Sequence, residues 1–231
     1  MQKIECRLVA MDECAEHIWH IQLEPAEPVC FRPGQYLQVI MGEKDKRPFS
    51  IANSPTRNGL ELQIGATPGN PYPGEVLEQL RQTGSITVEL PLGKAWLRDE
   101  STRPILLIAG GTGYSYARSI LQYLLDNESN RPVYLYWGVR DVSQLYEGEE
   151  VLNWAESCNA LTFVPVVQFP DEGWHGRKGM VHEAVLADFA SLDQYDIYVA
   201  GRFEMAAVVR QTLRLRGVDD EHLFGDAYQY I

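Results

Sequence analysis

The stretch Ile105-Leu106-Leu107-Ile108-Ala109-Gly110-Gly111-Thr112-Gly113 decides the architecture. Its first five residues are apolar without alternation, as in a strand buried on both faces in the middle of a parallel sheet. The glycines mark a tight turn, and residues 114–126 continue with apolar positions at helical spacing. Strand, glycine turn and helix make the opening unit of a doubly wound α/β sheet. The same grammar repeats downstream. Strands are predicted at 133–137, 161–167 and 195–200, and helices around 144–154, 180–189 and 203–216.

Upstream of Arg103-Pro104 the pattern differs. Ile4, Cys6 and Leu8 alternate with polar neighbours, and 17–23, 36–40, 60–64 and 85–90 are short runs of period-two or β-branched character. Arg32-Pro33-Gly34, Asn58-Gly59 and Pro91-Leu92-Gly93 are turn signals between them. Closely spaced short strands predict an antiparallel barrel. One helix, at 74–82, interrupts it with Val76, Leu77 and Leu80 on one face. The expected fold has two domains, an N-terminal antiparallel β-barrel over 1–99 and a C-terminal α/β doubly wound parallel sheet over 100–231. The boundary falls near 98–104.

Bulk properties narrow the partners. The chain has 231 residues, 45% of them hydrophobic, and a formal net charge of −12. Without a Lys/Arg cluster, this balance disfavours nucleic acid and anionic membrane surfaces. Lys3, Glu5 and Arg7 interrupt the first ten residues, unlike the apolar core of a signal peptide. No apolar run reaches the roughly 18 residues of a membrane span. The expected location is the cytoplasm. No pair among Cys6, Cys14, Cys30 and Cys158 has C-x-x-C spacing. His17 and His20 would face opposite sides of a strand. No metal site is expected.

The glycine loop carries two readings. Before a helix N-terminus, Gly110-Gly111-Thr112-Gly113 suits a pyrophosphate; equally, it suits close packing of helix on strand. The full dinucleotide fingerprint is missing, because position 116 is Tyr116 and the next strand ends in Gly138-Val139-Arg140 without an acidic residue. On the ligand reading, valine at position 113 would block a nucleotide and leave the fold intact. The last strand ends in Ala200-Gly201-Arg202-Phe203-Glu204-Met205. All three junctions belong on the carboxyl edge of the sheet, where open α/β sheets bind ligands.

The barrel half contains Lys46-Arg47-Pro48-Phe49-Ser50-Ile51-Ala52. Arg-Pro-Phe-Ser in a barrel strand, Gly-Gly-Thr-Gly after the first parallel strand and Ala-Gly-Arg-Phe-Glu-Met after the last resemble the ferredoxin–NADP reductase superfamily. Within it the chain is most similar to the bacterial NAD(P)H:flavin reductases, including luminescence-linked ones. The resemblance runs to the closing Phe224-Gly225-Asp226-Ala227-Tyr228. It implies hydride transfer from NADH or NADPH to a flavin (riboflavin, FMN or FAD). Ser50 and Thr112 would be catalytic, Ser50 donating a hydrogen bond at flavin N5 and Thr112 lying near the nicotinamide. Arg47 would hold the flavin side chain or its phosphate, in a strand shared with Pro48. Phe49 would pack near the isoalloxazine plane or in the core. Gly110, Gly111, Gly113, Arg140, Gly201, Arg202, Phe203 and Glu204 would line the nicotinamide side. Tyr228 would stack near the flavin or fill the domain interface.

Superfamily members that retain FAD place a Ser or Thr at the start of the barrel helix. Here Tyr72-Pro73-Gly74-Glu75-Val76-Leu77-Glu78-Gln79-Leu80 offers none, and Glu75 would repel a phosphate at that helix end. The flavin is therefore read as an exchangeable substrate. The rivals are an FAD-retaining reductase feeding an iron–sulfur or ferredoxin partner, and a non-catalytic flavin- or nucleotide-binding module. The acceptor of reduced flavin stays open between a luciferase, a monooxygenase and ferric iron. The choices of NADH or NADPH, and of monomer or homodimer, stay open too.

Overall fold

A computed structural model describes residues 1–231. Its first half contains β1 (Gln2–Ala15), β2 (Ile18–Pro25), β3 (Tyr36–Ile40), β4 (Lys46–Ser50), β5 (Leu60–Gly65), helix α1 (Pro71–Thr83) and β6 (Ser85–Leu92). These strands form one antiparallel sheet in the order β4-β3-β6-β1-β2-β5. The two ends of that order meet: the N–H of Ala52, just beyond β4, donates to the carbonyl of Glu61 in β5 at 2.8 Å. Alternate residues face inward, so Ile4, Cys6, Ile21, Leu37, Leu62 and Val88 share one buried core. Val76, Leu77 and Leu80 of α1 join it.

Two local expectations are corrected. The strand expected from residue 17 begins at Ile18, because His17 sits in the β1–β2 hairpin turn with φ +62°. The helix expected at 74–82 begins at Pro71. Proline at the first helical position loses no hydrogen bond and brings a suitable φ. The Asn70 side chain caps the helix by accepting from Tyr72 N–H at 3.2 Å.

The second half contains β7 (Ile105–Gly110), α2 (Tyr114–Asp126), β8 (Val133–Val139), α3 (Gly148–Ser157), β9 (Leu161–Val167), β10 (Arg177–Lys178), α4 (Val181–Asp188), β11 (Asp196–Ala200), α5 (Phe203–Arg214) and β12 (Leu223–Phe224). The sheet is parallel throughout, in the order β10-β9-β8-β7-β11-β12. The deciding strand divides its side chains between two cores. Ile105, Leu107 and Ala109 pack with Ile120 of α2 and Val151 of α3. Leu106 and Ile108 pack with Val185 of α4 and Val209 of α5. That division is why the run carries no polar alternation.

The segment between the sheets is not a free linker. Ala95 and Leu97 are buried in the core beneath α2 and α3. Helix α2 in turn docks on the barrel through polar groups. Ser119 Oγ donates to Asn53 O at 2.8 Å, and Ser54 N–H donates to Gln122 Oε1 at 3.1 Å. Arg57 pairs with Asp126 at 3.0 Å.

Candidate active site between barrel and sheet

The order β8-β7-β11 fixes where the ligand-facing loops lie. Gly110 stands opposite Gly138, and Ala109 stands opposite Ala200, so three carboxyl-terminal junctions share one edge. The glycine loop is a single 3-10 turn, Gly111–Gly113, running directly into α2. Its glycines do different work. A side chain on Gly113 would strike the Ala200 carbonyl and lie 2.8 Å from Gly201 N. Gly111 has φ +54° with open space where a side chain would stand. Close packing is the role of Gly113, and backbone approach by a ligand is possible at Gly111. Trp137 Nε1–H donates to Gly111 O at 2.9 Å and holds the turn in place. Thr112 reaches the barrel, its Cγ2 lying 3.2 Å from where a Cβ on Gly65 would stand.

On the barrel side, β4 alternates. Arg47 and Phe49 share one face, and Pro48 and Ser50 the other. Phe49 packs against the barrel core, while Ser50 at the strand end is half-buried opposite Tyr36. Gly93 brings Tyr36 and Asp226 together: a Cβ there would lie 2.9 Å from Tyr36 Cδ1 and 2.8 Å from Asp226 Oδ1. Burial pushes the Asp226 carboxyl up to about 6, against the opposing pull of the Ala95 and Lys94 amides.

Arg47 is covered and fully engaged. Its guanidinium donates to both oxygens of Asp45 at 2.9 and 2.6 Å, to Glu75 Oε2 at 2.6 Å and to Tyr72 O. It also lies 4.8 Å from the centre of the Tyr72 ring. Glu75 pairs with Arg47 and, because α1 begins at Pro71, lies beyond the first turn instead of at the helix end expected from the sequence. The cations of the sheet edge are arranged otherwise. Arg140 and Arg202 are exposed, and Arg140 lies over Phe169 at 5.7 Å. Phe203 and Glu204 open α5 and are exposed. Gly110 and Gly201 pack on Met205.

A family model for the oxidoreductase NAD-binding domain matches residues 107–211. An NAD(P)H-flavin reductase of Aliivibrio fischeri is 48% identical, covering 99% of both chains. One from Vibrio harveyi is also 48% identical with the same coverage. The chain belongs to the bacterial NAD(P)H-flavin reductase family. Its fold is that of the ferredoxin reductases. The ferredoxin reductase in carbazole 1,9a-dioxygenase superposes with a TM-score of 0.86 at 27% identity, over 98% of this chain and 69% of that one.

Tyr228 sits away from Tyr36. Its ring packs with the core beneath α5 and lies 5.3 Å from the Arg210 guanidinium. The terminal aromatic beside Tyr36 is Tyr230, which also meets Phe203 edge-on at 6.1 Å. Phe169 was missed because the sequence gives no sign that the end of β9 meets Arg140. Also missed was a polar cluster around Arg118, whose partners Ala52, Glu61 and Glu147 are distant in sequence.

Proposed function

We propose that this flavin reductase passes a hydride from NADH or NADPH to a flavin that enters and leaves as a substrate. The flavin side belongs to the barrel, residues 1–99, and the nicotinamide side to residues 100–231. The observation that carries this reading is the contact of Thr112 with Gly65. It brings the nucleotide-side loop against the barrel sheet that presents Ser50.

When bound, the nicotinamide supplies a hydride from C4 and the flavin accepts it at N5; the protein supplies orientation and polarity. Ser50 offers a half-buried hydroxyl donor on the strand face shared with Pro48. Thr112 and the backbone of Gly111 shape the nucleotide side. Arg140 on Phe169 offers an exposed cation to a ribose or phosphate. Phe203 and Glu204 border the nicotinamide end. Tyr36 walls the flavin end beside Ser50. Arg47, tied to Asp45 and Glu75, positions the β4–α1 corner and leaves recognition to the ring and ribityl chain.

Reduced flavin then leaves for an acceptor such as a luciferase, a monooxygenase or ferric iron. The cytoplasm suits this role, and all four cysteines are free thiols. No helix is long and apolar enough to cross a membrane. The test is an absorbance spectrum of the purified protein, followed by NADH and NADPH oxidation with and without riboflavin. The expected result is well under one flavin per chain and oxidation that depends on added flavin. Stoichiometric flavin surviving gel filtration would instead favour a retained cofactor.

A further inference from the structure

We infer that Arg118 and Glu147 are positioning residues. Together they hold the Ser50 strand and the glycine loop in one register, and so set the approach of the two reactants. This rests on the site reading above. Arg118 lies one helical turn into α2 and is 5% exposed. Its Nη1 donates to Ala52 O at 3.1 Å, two residues beyond Ser50, and to Glu61 Oε2 in β5 at 2.8 Å. Its Nε donates to Glu147 Oε2 at 2.7 Å. One rigid fork thus grips the barrel at two points and the loop before α3 at a third.

From Glu147 the chain of contacts returns to the glycine loop. The Tyr114 hydroxyl donates to Glu147 Oε2 at 3.0 Å. The Tyr114 ring stacks on Trp137 with centroids 3.9 Å apart and an interplanar angle of 10°. Trp137 Nε1–H donates to Gly111 O, next to Thr112. The second Glu147 oxygen is occupied as well, accepting from Gln63 Nε2 in β5 at 2.7 Å. Every link from Ala52 to Gly111 is therefore a short, directional contact in a largely covered interface.

This arrangement is more than general domain adhesion. Of the other α2 contacts, Ser119, Gln122 and Asp126 lie farther along the helix and touch the segment 53–57, whereas Ser115 donates to Gln63 Oε1 in β5 at 3.0 Å and Tyr116 to Ala95 O. The Arg118–Glu147 chain runs from Ala52, two residues beyond Ser50, to Gly111, next to Thr112. Hydride transfer is steep in distance and alignment, so a small slip between the halves costs rate before it costs affinity.

The test is stopped-flow measurement of flavin reduction in single turnover, at saturating NADH and riboflavin, on three variants. Arg118→Lys keeps the charge but loses the fork. Glu147→Gln is isosteric and leaves buried Arg118 with Glu61 as its remaining carboxylate partner. Trp137→Phe keeps the ring stack but loses the donor to Gly111. Folded fraction is followed by near-ultraviolet circular dichroism. We expect the hydride-transfer rate to fall tenfold or more in Arg118→Lys and Glu147→Gln, and less in Trp137→Phe. The NADH dissociation constant should stay within about threefold, and the long-wavelength charge-transfer absorbance of the ternary complex should weaken. A raised dissociation constant with an unchanged saturated rate would overturn the inference. So would activity loss that only tracks the unfolded fraction. Ser50→Ala, run in parallel, separates the two readings. Slow transfer in Ser50→Ala with normal transfer in the three variants removes the positioning role alone. Normal transfer in Ser50→Ala removes the site reading and this inference with it.

Discussion

The cations on the two sides of the cleft are built in opposite ways. Arg47, on the barrel side, is covered and saturated by Asp45, Glu75 and a carbonyl of its own chain. Arg140, on the sheet side, is exposed and rests on an aromatic face. The barrel supplies its own anions, whereas the sheet edge leaves a cation available. On the proposed function, that contrast leaves charge recognition to the nicotinamide nucleotide and flavin recognition to the ring. The glycine loop repeats the contrast on a smaller scale, with Gly113 committed to packing and Gly111 left open.

The largest effect should come from breaking that smaller division. The sequence reading expects Gly113→Val to leave the fold intact and weaken nucleotide binding. The structure overturns this, because any Cβ there collides with backbone at Ala200 and Gly201. Overpacking against backbone should cost about 3 kcal/mol or more. Gly113→Val should fail to accumulate as folded protein. Gly111→Asn should fold, since asparagine tolerates a left-handed φ. It should raise KM for NADH about tenfold by crowding the open corner. Urea unfolding and steady-state kinetics on both variants check this, and equal stability would dissolve the division.

Next in size is Ser50→Ala. On the proposed function its hydroxyl donates to the atom that gains electron density, so the bond should strengthen in the transition state. A preorganised donor in a dry site is worth up to about 3 kcal/mol, roughly a hundredfold. Turnover should fall between about tenfold and a hundredfold, with NADH affinity little changed. An unaltered kcat would remove Ser50 from the site.

Sequence alone reached the two-sheet plan because its signals are local. Residues 105–109 lack alternation since both of their faces are covered, and the barrel strands alternate since only one is. The start of α1 lies three residues earlier than expected, at Pro71, because Pro71-Tyr72-Pro73 shows no helical periodicity of its own. Strands β10 and β12 were invisible because two residues carry no periodicity. What a motif made legible was position: Ser50 closes β4, and Thr112 stands in the turn that follows β7. The site was not legible where function depends on partners far away in the chain. Nothing local distinguishes Gly111 from Gly113, ties Arg118 to Glu61 and Glu147, or sets Tyr230 rather than Tyr228 beside Tyr36.

Asp226, carried by the second half but placed beside Gly93 at the end of the barrel, sharpens the comparison, since its carboxylate is covered without a cation. Its Oδ1 is buried and has no hydrogen-bond partner. Its folded pKa of about 6 lies above the ordinary value of 3.8. The native state therefore binds more protons than the unfolded chain between about pH 4 and 6. Stability from this group is present below pH 4 and is lost as pH rises through 6. Asp226→Asn removes the penalty while keeping an acceptor for the Ala95 and Lys94 amides. It should stabilise the protein by about 2 kcal/mol at pH 8 and by almost nothing at pH 4. Denaturant unfolding at both pH values measures the difference. A variant no more stable than the parent at pH 8 would show that the carboxylate is well solvated.

The smallest effect concerns the flavin phosphate, and it bears most directly on the opening contrast. If Arg47 were a phosphate site, FMN and FAD should be preferred over riboflavin, and salt should erase the preference. In this structure a phosphate reaching Arg47 must displace Asp45 or Glu75, each already paired with it at 2.6 Å. The displaced carboxylate would then face a dianion. What remains for a phosphate is an exposed contact on a chain of net charge −12, worth at most about 1 kcal/mol. Riboflavin should therefore match or exceed FMN in kcat/KM, and the adenylate of FAD should add nothing. Glu75→Gln frees half of the clamp and lowers the local negative charge. It should shift preference toward FMN by no more than about fivefold, with the shift fading as salt screens it. The measurement is kcat/KM for the three flavins, at low and high ionic strength, in the parent and the variant. A parent preference of tenfold or more for FMN that vanishes in salt would mean Arg47 releases its carboxylates on binding. The barrel cation would then be as available as Arg140, and the contrast between the two halves would fail.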